Sequence, residues 1–181
     1  SYLKSPDKLA RDSSGRIYFT DPDLNTVFRI NNDNTFSVVA GSVSSSKYPK
    51  DGDGGPATLA SLYNPSNIFI DSADNLYICE AENQTVRKVD PVSGIITTVV
   101  GTGVGGYSGD GGSATQAKIN SPQDAVVDSD GNIYILDVNN YRVRKVDTSG
   151  RISTYVGSST PCLSGTCGDG SVYSSASVTL T

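Results

Sequence analysis

Residues 121–157 read SPQDAVVDSDGNIYILDVNNYRVRKVDTSGRISTYVG, and their pattern predicts the fold of this protein. It contains four short runs rich in β-branched and aromatic residues, Ala125–Asp128, Ile133–Asp137, Tyr141–Asp147 and Arg151–Gly157. Asp, Asn and Gly separate the runs, and these residues favour turns because Gly and Asn tolerate a positive φ and Asp caps its own turn. Strands this short with turns this close predict a four-stranded antiparallel meander.

The same pattern occurs twice earlier in the chain, in residues 5–40 and 64–100. A fixed period that contains four strands predicts one sheet per repeat, stacked on its neighbours, because a single four-stranded sheet cannot bury its own faces. The positions that repeat are a proline before the first strand (Pro6, Pro65, Pro122), an Asp that ends it (Asp12, Asp71, Asp128), an aromatic residue in the second strand (Tyr18, Tyr77, Tyr134) and a carboxylate that ends the second strand (Asp21, Glu80, Asp137).

The segments between the repeats are themselves repeated. Residues 41–63 and 101–120 share an Asp-Gly-Gly sequence and, after it, an alanine and a branched apolar residue in register. We expect one helical turn in each connector that places an apolar side chain on the core. A third connector, residues 158–181, is followed by no further repeat within the chain, and we expect residues 1–4 to have no internal counterpart.

Composition excludes several functions. The chain has 181 residues, a formal net charge of −5 and a sequence pI of about 4.6, which disfavours nucleic-acid binding because that relies on clustered Lys and Arg. No apolar run approaches the ~18–20 residues of a membrane-spanning helix. There is no His, so the commonest metal ligand and general base are missing. We therefore predict no catalytic residues, no metal and no cofactor. There is also no Met, which indicates a processed protein or a segment of a larger one.

The cysteines and one sequon suggest covalent modification. Cys162 and Cys167 flank a short Gly- and Ser-containing loop, which predicts a disulfide and an oxidising compartment, the alternative being two unrelated thiols. Cys79 lies in a predicted strand and is expected to be a small buried apolar residue. Asn83 begins the sequon Asn-Gln-Thr in a predicted turn, where a glycan would point to solvent. The alternative for Asn83 is a chance match.

The run Ser121–Asp147, together with the Gly-Asp-Gly-Gly-x-Ala-Thr connectors, resembles the NHL repeats of a large set of secreted or cell-surface β-propeller proteins. The resemblance is weaker in residues 5–40, where Leu9-Ala10-Arg11 replaces an apolar strand. It implies four-stranded blades around a central channel, commonly six blades in this family. Some NHL-fold enzymes are zinc- and His-dependent lyases, an activity that the absence of His disfavours.

Three further motifs have both a functional and a structural interpretation. Gly101–Gly106 matches G-x-G-x-x-G, but no long helix follows it, which disfavours a dinucleotide site. Asp51–Gly54 and Asp128–Gly131 could supply calcium ligands, but they lack the other acids of an EF-hand and are favoured as turns. The repeated carboxylates could act as acid and base in glycoside cleavage. Their repetition favours turn capping or pairing with Arg29, Arg87 and Arg144.

These patterns predict an all-β protein of three four-stranded antiparallel NHL-type blades, an incomplete propeller unless further blades or another copy complete it. The blades are residues 5–40, 64–100 and 121–157, within a single segment 1–181 that ends in the connector 158–181. We expect a non-enzymatic extracellular scaffold that self-associates by ring completion or as a head-to-tail fibre. The alternative is a ligand-binding or sensor domain, cut from a larger receptor or enzyme, with a pocket at the channel mouth.

Overall fold

A computed structural model describes residues 2–42 and 52–158 of the chain. It contains three separate sheets, each of four antiparallel strands in sequential order, so the predicted fold class is confirmed. The helices of these two ranges are all single turns of 3-10 helix. Nowhere in the same ranges is there a helix long and apolar enough to span a lipid bilayer.

The strands of each sheet follow one another directly in the sequence. Blade 1 contains β1 (Leu9–Arg11), β2 (Ile17–Asp21), β3 (Thr26–Ile30) and β4 (Phe36–Ala40). Blade 2 contains β5 (Pro65–Ile70), β6 (Leu76–Glu80), β7 (Thr85–Val89) and β8 (Ile96–Val100). Blade 3 contains β9 (Pro122–Val127), β10 (Ile133–Asp137), β11 (Arg142–Val146) and β12 (Ile152–Gly157).

The repeated Asp at the end of the first strand organises the first hairpin of each blade. In blade 2, Asp71 Oδ1 accepts hydrogen bonds from the backbone N–H groups of Ala73 and Asn75, both at 2.9 Å. Its Oδ2 accepts the Tyr77 hydroxyl at 3.2 Å. The carboxylate therefore holds both the turn and the second strand, which explains why Asp and Tyr repeat together. Asp12 and Asp128 bind their own turns and tyrosines in the same way.

The core of the protein lies between blades. Successive residues of a strand point to opposite faces of its sheet. Ile78 of β6 therefore packs towards blade 1, while Cys79 packs towards blade 3. One buried apolar cluster joins blades 1 and 2, and a second joins blades 2 and 3. No blade covers its own two faces, so the stability of each sheet depends on its neighbours.

The connectors are part of these cores. The connectors 41–63 and 101–120 each contain one turn of 3-10 helix, Ala57–Leu59 and Ala114–Gln116. This agrees with the prediction of one helical turn in each connector. Leu62 and Ile119 beyond these turns are both 0% exposed. The Asp-Gly-Gly segment pairs with the outermost strand of the following blade, since Gly111 donates its N–H to the Ile152 carbonyl at 2.7 Å. A connector thus belongs structurally to the blade that it precedes.

The expectation that residues 1–4 have no internal counterpart is wrong for residues 3 and 4. The Lys4 N–H donates to Asp21 Oδ2 at 2.7 Å, as the Tyr63 N–H donates to Glu80 Oε1 at 2.8 Å. Leu3 occupies the place of Leu62 relative to the following proline. The correspondence lies in one backbone hydrogen bond and one apolar residue, which is too little to recognise in the sequence.

Replacing Ile119 by Ala is expected to lower the free energy of unfolding by about 2–5 kcal/mol, because it leaves a cavity in the core between blades 2 and 3. Urea denaturation followed by circular dichroism measures the change. Val92, which is 94% exposed, provides the control: Val92→Ala is expected to change stability by less than about 0.5 kcal/mol. Equal effects of the two substitutions would show that the connector is not part of the core.

Candidate functional site

The three repeated carboxylates are structural. Asp21, Glu80 and Asp137 are all 0% exposed at the ends of their second strands. Glu80 Oε1 accepts the Tyr63 N–H at 2.8 Å, and Asp137 Oδ1 accepts the Asn120 N–H at 2.6 Å. Each carboxylate therefore ties the end of a connector to its blade. Since no oxygen of these groups reaches solvent, the capping interpretation replaces the acid–base one.

Two buried arginines complete this arrangement. The Arg144 side chain is 0% exposed, with Nη1 lying 3.3 Å from Asp137 Oδ2 and Nη2 lying 2.5 Å from Asp110 Oδ1 in the preceding connector. Arg87 makes the same pair of contacts in blade 2, at 3.4 Å to Glu80 Oε2 and 2.6 Å to Asp53 Oδ1. We call each such group an arginine latch, because one guanidinium joins the connector to the second strand of the blade.

Burial raises the pKa of Glu80, since the interior disfavours the charged carboxylate. The Arg87 guanidinium and the hydrogen bonds from Tyr63, Asn83 and Thr85 act in the opposite direction. A buried charge of this kind is tolerated only when it is paired and hydrogen-bonded. The latch therefore depends on all of its members being present.

The predicted pairing of Asp21 with Arg29 is wrong. In the strand register Arg29 lies opposite Tyr18, as Lys88 lies opposite Tyr77. Arg29 is therefore the counterpart of Lys88, and a difference of one residue turns a strand side chain to the other face. The position of the latch arginine is occupied in blade 1 by Phe28, whose ring packs against Phe19 and Phe36 at centroid distances of 5.3 and 5.1 Å.

The candidate calcium ligands have other partners. Asp128 Oδ1 accepts the backbone N–H groups of Asp130 and Asn132 at 3.0 and 2.9 Å. Asp53 pairs with Arg87, and Asp51 lies outside the described residues. Among the residues that the structure describes, no group of three or more His, Cys, Asp or Glu side chains is arranged to hold a metal ion. The turn interpretation of Asp128–Gly131 agrees with this geometry.

The glycine-rich segment 101–106 has a structural role, because it allows backbone segments to approach each other closely. Gly101 has φ +94°, and a Cβ at this position would lie 2.2 Å from the Gln84 carbonyl oxygen. Gly41 and Gly157 make the same close approach in blades 1 and 3. The loop leads to the single 3-10 turn Ala114–Gln116. A dinucleotide fingerprint requires a full helix after the loop, so the nucleotide interpretation fails.

The solvent-facing position predicted for Asn83 is wrong. Its side chain is 1% exposed, and Nδ2 donates to Glu80 Oε1 at 2.8 Å. Asn140 occupies the equivalent position in blade 3 and donates from Nδ2 to Asp137 at 2.8 Å. The asparagine therefore repeats because it supports the buried carboxylate. A glycan on Asn83 stays a prediction, and it would require this hydrogen bond to break and the side chain to turn outwards.

The three cysteines have different outcomes. Cys79 is 1% exposed in the core between blades 2 and 3, which confirms its predicted role as a small buried residue. Burial raises the pKa of its thiol far above the ordinary value. Cys162 and Cys167 lie outside the described residues, as does nearly all of the connector 158–181. Their disulfide stays a prediction.

The outward faces of the two end blades expose apolar side chains. On blade 3, Leu136 is 44% exposed, whereas its counterparts Cys79 and Thr20 are 1% and 0% exposed. The same surface includes a shallow depression of about 230 Å³. We call it the open face of blade 3; its residues are Val126, Tyr134, Leu136, Val143 and Tyr155.

Blade 1 has a matching surface on its opposite side. Leu9 is 70% exposed and Ile30 is 42% exposed, whereas their counterparts Ile68 and Val89 are 3% and 5% exposed between blades 1 and 2. A depression of about 290 Å³ lies next to them. The open face of blade 1 exposes Leu9, Ile30 and Val38. On the same side of the sheet Phe36 is half-buried, while Phe19 and Phe28 are only 6% and 4% exposed and pack against it.

Sequence reasoning missed the connector acids as partners of the buried arginines. Asp53 precedes Arg87 by 34 residues, and Asp110 precedes Arg144 by the same 34 residues. This constant spacing was available as a signal. The substitution of Phe28 for the arginine could have been recognised by aligning the three repeats on the tyrosine of the second strand.

Replacing Arg144 by Met is expected to lower the free energy of unfolding by about 3–5 kcal/mol, because Asp137 then stays buried without its cation. Urea denaturation measures the difference. The neighbouring substitution Lys145→Met, on the opposite side of the strand, is the control and should leave the free energy of unfolding in urea nearly unchanged. A stable Arg144→Met variant would contradict the latch.

We expect protonation of Asp128 to lower the stability of the protein in acid. The hydrogen bond from Asn132 is the largest cause that lowers the pKa of Asp128. A lowered pKa in the folded state means that its contribution is present above about pH 4 and is lost as the pH falls through the folded-state value. Asp128→Asn keeps an oxygen acceptor that cannot be protonated, so its unfolding free energy should fall less between about pH 5 and pH 2. Asp130→Asn controls for the loss of a charge in the same turn, and an identical pH profile for both variants would refute the assignment.

Comparison with known proteins supports this architecture. Residues 105–171 match the family model of the teneurin NHL domain. Human teneurin-1 is 32% identical over 149 residues, which is 72% of this chain but 5% of teneurin-1. The chain therefore spans only a small part of this curated relative.

Solved structures show the same fold. A structural-genomics protein of unknown function from Bacteroides thetaiotaomicron has a TM-score of 0.63 at 23% identity, covering 84% of this chain and 36% of the other. Virginiamycin B lyase from Staphylococcus aureus has a TM-score of 0.55 at 20% identity, covering 86% of this chain and 42% of the other. The repeats, the sheet topology and the teneurin match together place the chain in the NHL-repeat β-propeller family.

Proposed function

We propose that the chain is a non-enzymatic extracellular scaffold whose open faces bind further NHL-type blades, supplied by a second copy of the same chain. The observation that carries the proposal is the exposure of Leu136, at a position that is buried in both internal blade contacts. Apolar side chains at such positions gain free energy when a neighbouring blade covers them.

The two open faces suit each other. The blade 3 face offers Tyr134, Leu136 and Tyr155, and the blade 1 face offers Leu9 and Ile30, which lie on the same side of the sheet as a packed cluster of three phenylalanines. Phe28 removes the buried arginine that receives an acidic connector in blades 2 and 3. The blade 1 face is therefore apolar at its centre, as a face that covers Leu136 should be.

Head-to-tail contact has two geometric outcomes. Two copies would together supply six blades, within the range of roughly four to eight that closes a propeller. If the rotation between copies does not close, the same contact produces a fibre. Either outcome covers the exposed apolar faces of the two end blades, which reduces the risk of uncontrolled aggregation.

Two observations support the non-enzymatic and extracellular parts of the proposal. The repeated carboxylates are buried, so they are structural groups and not acids or bases in contact with a substrate. The chain is similar to teneurin NHL domains, and its connectors resemble those of secreted or cell-surface NHL proteins. The predicted Cys162–Cys167 disulfide and the predicted glycan on Asn83 belong to the same proposal.

The second candidate is a segment of a ligand-binding or sensor propeller within a longer protein. The observation that favours it is that the chain spans 5% of teneurin-1 and 36% of the Bacteroides structure. Here the remaining blades come from the same polypeptide, and they cover the same open faces. The two candidates differ in the state of the 181-residue chain by itself.

Native mass measurement of the 181-residue chain tests the proposal. Self-association predicts a species of at least twice 18.9 kDa. Leu136→Asp and Leu9→Asp each place a charge in the contact and should weaken association at least about tenfold. Val92→Asp is the control, because Val92 is 94% exposed in the β7–β8 turn.

Mixing the two Asp variants sharpens the test. In a head-to-tail arrangement, the intact blade 1 face of Leu136→Asp meets the intact blade 3 face of Leu9→Asp, so the mixture should form a dimer that neither variant forms alone. A folded wild-type monomer of 18.9 kDa would discard self-association in favour of the second candidate. Failure of the mixture to associate would exclude the head-to-tail geometry.

A further inference from the structure

The blade contacts differ at the turns between first and second strands. Between blades 1 and 2, Ser13 donates its N–H to Asp74 Oδ1 at 2.8 Å and its hydroxyl to Asp74 Oδ2 at 2.7 Å. Blade 3 has Gly131 at the position of Asp74, while Ser72 of blade 2 is the counterpart of Ser13. Gly131 has no side chain to bridge the two blades, so the polar link between blades 1 and 2 has no counterpart at this position.

A cleft of about 580 Å³ opens beside Gly131. It lies between the outer strands β7 and β8 of blade 2 and the two turns of blade 3, away from the inner strands β5 and β9. Its floor is apolar, and its rim is rich in hydroxyl groups. The polar side chains on which binding depends are those of Lys88, Ser113, Thr115, Asp147, Thr148 and Arg151.

Cationic side chains of blades 2 and 3 line the cleft. Lys88 of blade 2 has its Nζ 5.8 Å from the centre of the Tyr77 ring. Arg151 of blade 3 donates from Nη2 to the Gly111 carbonyl, which fixes its guanidinium against the connector. A guanidinium has further N–H donors beyond the one used here. Two positive side chains therefore line one cleft of a chain whose net charge is −5.

The one carboxylate among the lining side chains is engaged in its own turn. Asp147 Oδ1 accepts the Ser149 N–H at 2.9 Å, the Ser149 hydroxyl at 2.6 Å and the Arg151 N–H at 3.0 Å. These three hydrogen bonds hold Asp147 in place and partly satisfy its charge. It therefore opposes an incoming anion less than a free carboxylate would.

We propose that this cleft binds a small oxyanion, the sulfate, phosphate or carboxylate group of a ligand. Lys88 and Arg151 supply charge-assisted hydrogen bonds, which are stronger than those between neutral groups. The hydroxyls of Ser113, Thr115 and Thr148 at the rim supply neutral donors. The site is independent of the open faces, because it lies between two blades of one chain.

Amide NMR titration of the 181-residue chain tests the site. Sodium sulfate, sodium phosphate and sodium glucuronate are added separately at constant ionic strength, with sodium chloride as the reference. Saturable shifts are expected for Gly131 and for residues 148–151, and the anion that binds most tightly identifies the group. Lys88→Gln and Arg151→Gln should each weaken binding about tenfold, the loss expected for one hydrogen bond to a charged group.

Gly131→Asp is a second test variant, which is expected to close the cleft. Gly131 has φ +90° and Asp74 has φ 62° at the equivalent position, so Asp is accommodated once this turn adopts the backbone of its blade 2 counterpart. The new carboxylate can bind Ser72 as Asp74 binds Ser13, which closes the cleft and adds a negative charge. Binding should be lost while the circular dichroism spectrum stays that of the wild type.

Lys145→Gln is the matched control. Lys145 occupies the position of Lys88 in blade 3 and lies over Tyr134 at 5.4 Å, but on the open face and outside the cleft. It should retain wild-type affinity within about twofold. The proposal is overturned if none of the three anions gives saturable shifts, if Gly131→Asp binds as well as the wild type, or if Lys145→Gln weakens binding as much as Lys88→Gln.

Discussion

The arginine latch is the interaction on which the arrangement of the blades depends. In blade 3, one buried guanidinium contacts Asp110 of the connector and Asp137 of the second strand. Asp137 in turn holds the last N–H of that connector. The connector also carries Ile119 into the core, so the latch fixes both the path of the chain and the apolar contact between blades. Removing one charge leaves another buried and unpaired, which makes the group cooperative.

Blade 1 shows what replaces the latch. Phe28 occupies the arginine position and packs with Phe19 and Phe36. An apolar cluster needs neither an acidic connector nor a buried ion pair. The end blade therefore presents a surface suited to apolar contact, while the opposite end presents Leu136, whose counterparts are buried inside the protein. The proposed association follows from this difference between otherwise equivalent positions.

Much of the fold could be predicted from the repeats, but the roles of several residues could not. The strands, their turns and the buried Cys79 agree with the sequence patterns. The prediction that Asp21 pairs with Arg29 failed because a difference of one residue in the strand places the side chain on the opposite face of the sheet. The prediction that Asn83 is exposed failed because its side chain turns inwards to Glu80. A position within a turn does not specify the direction of the side chain.

The repeat, the four strands of each blade and their turns follow from the sequence, because local turn chemistry and alternating apolar residues act over a few neighbouring positions. The folded arrangement of the blades is what brings Arg87 and Arg144 to both connector and blade, places the cores between sheets and opens a cleft at Gly131. These features require groups separated by tens of residues to meet. Their partners are set by the stacking of whole blades, which no local pattern describes.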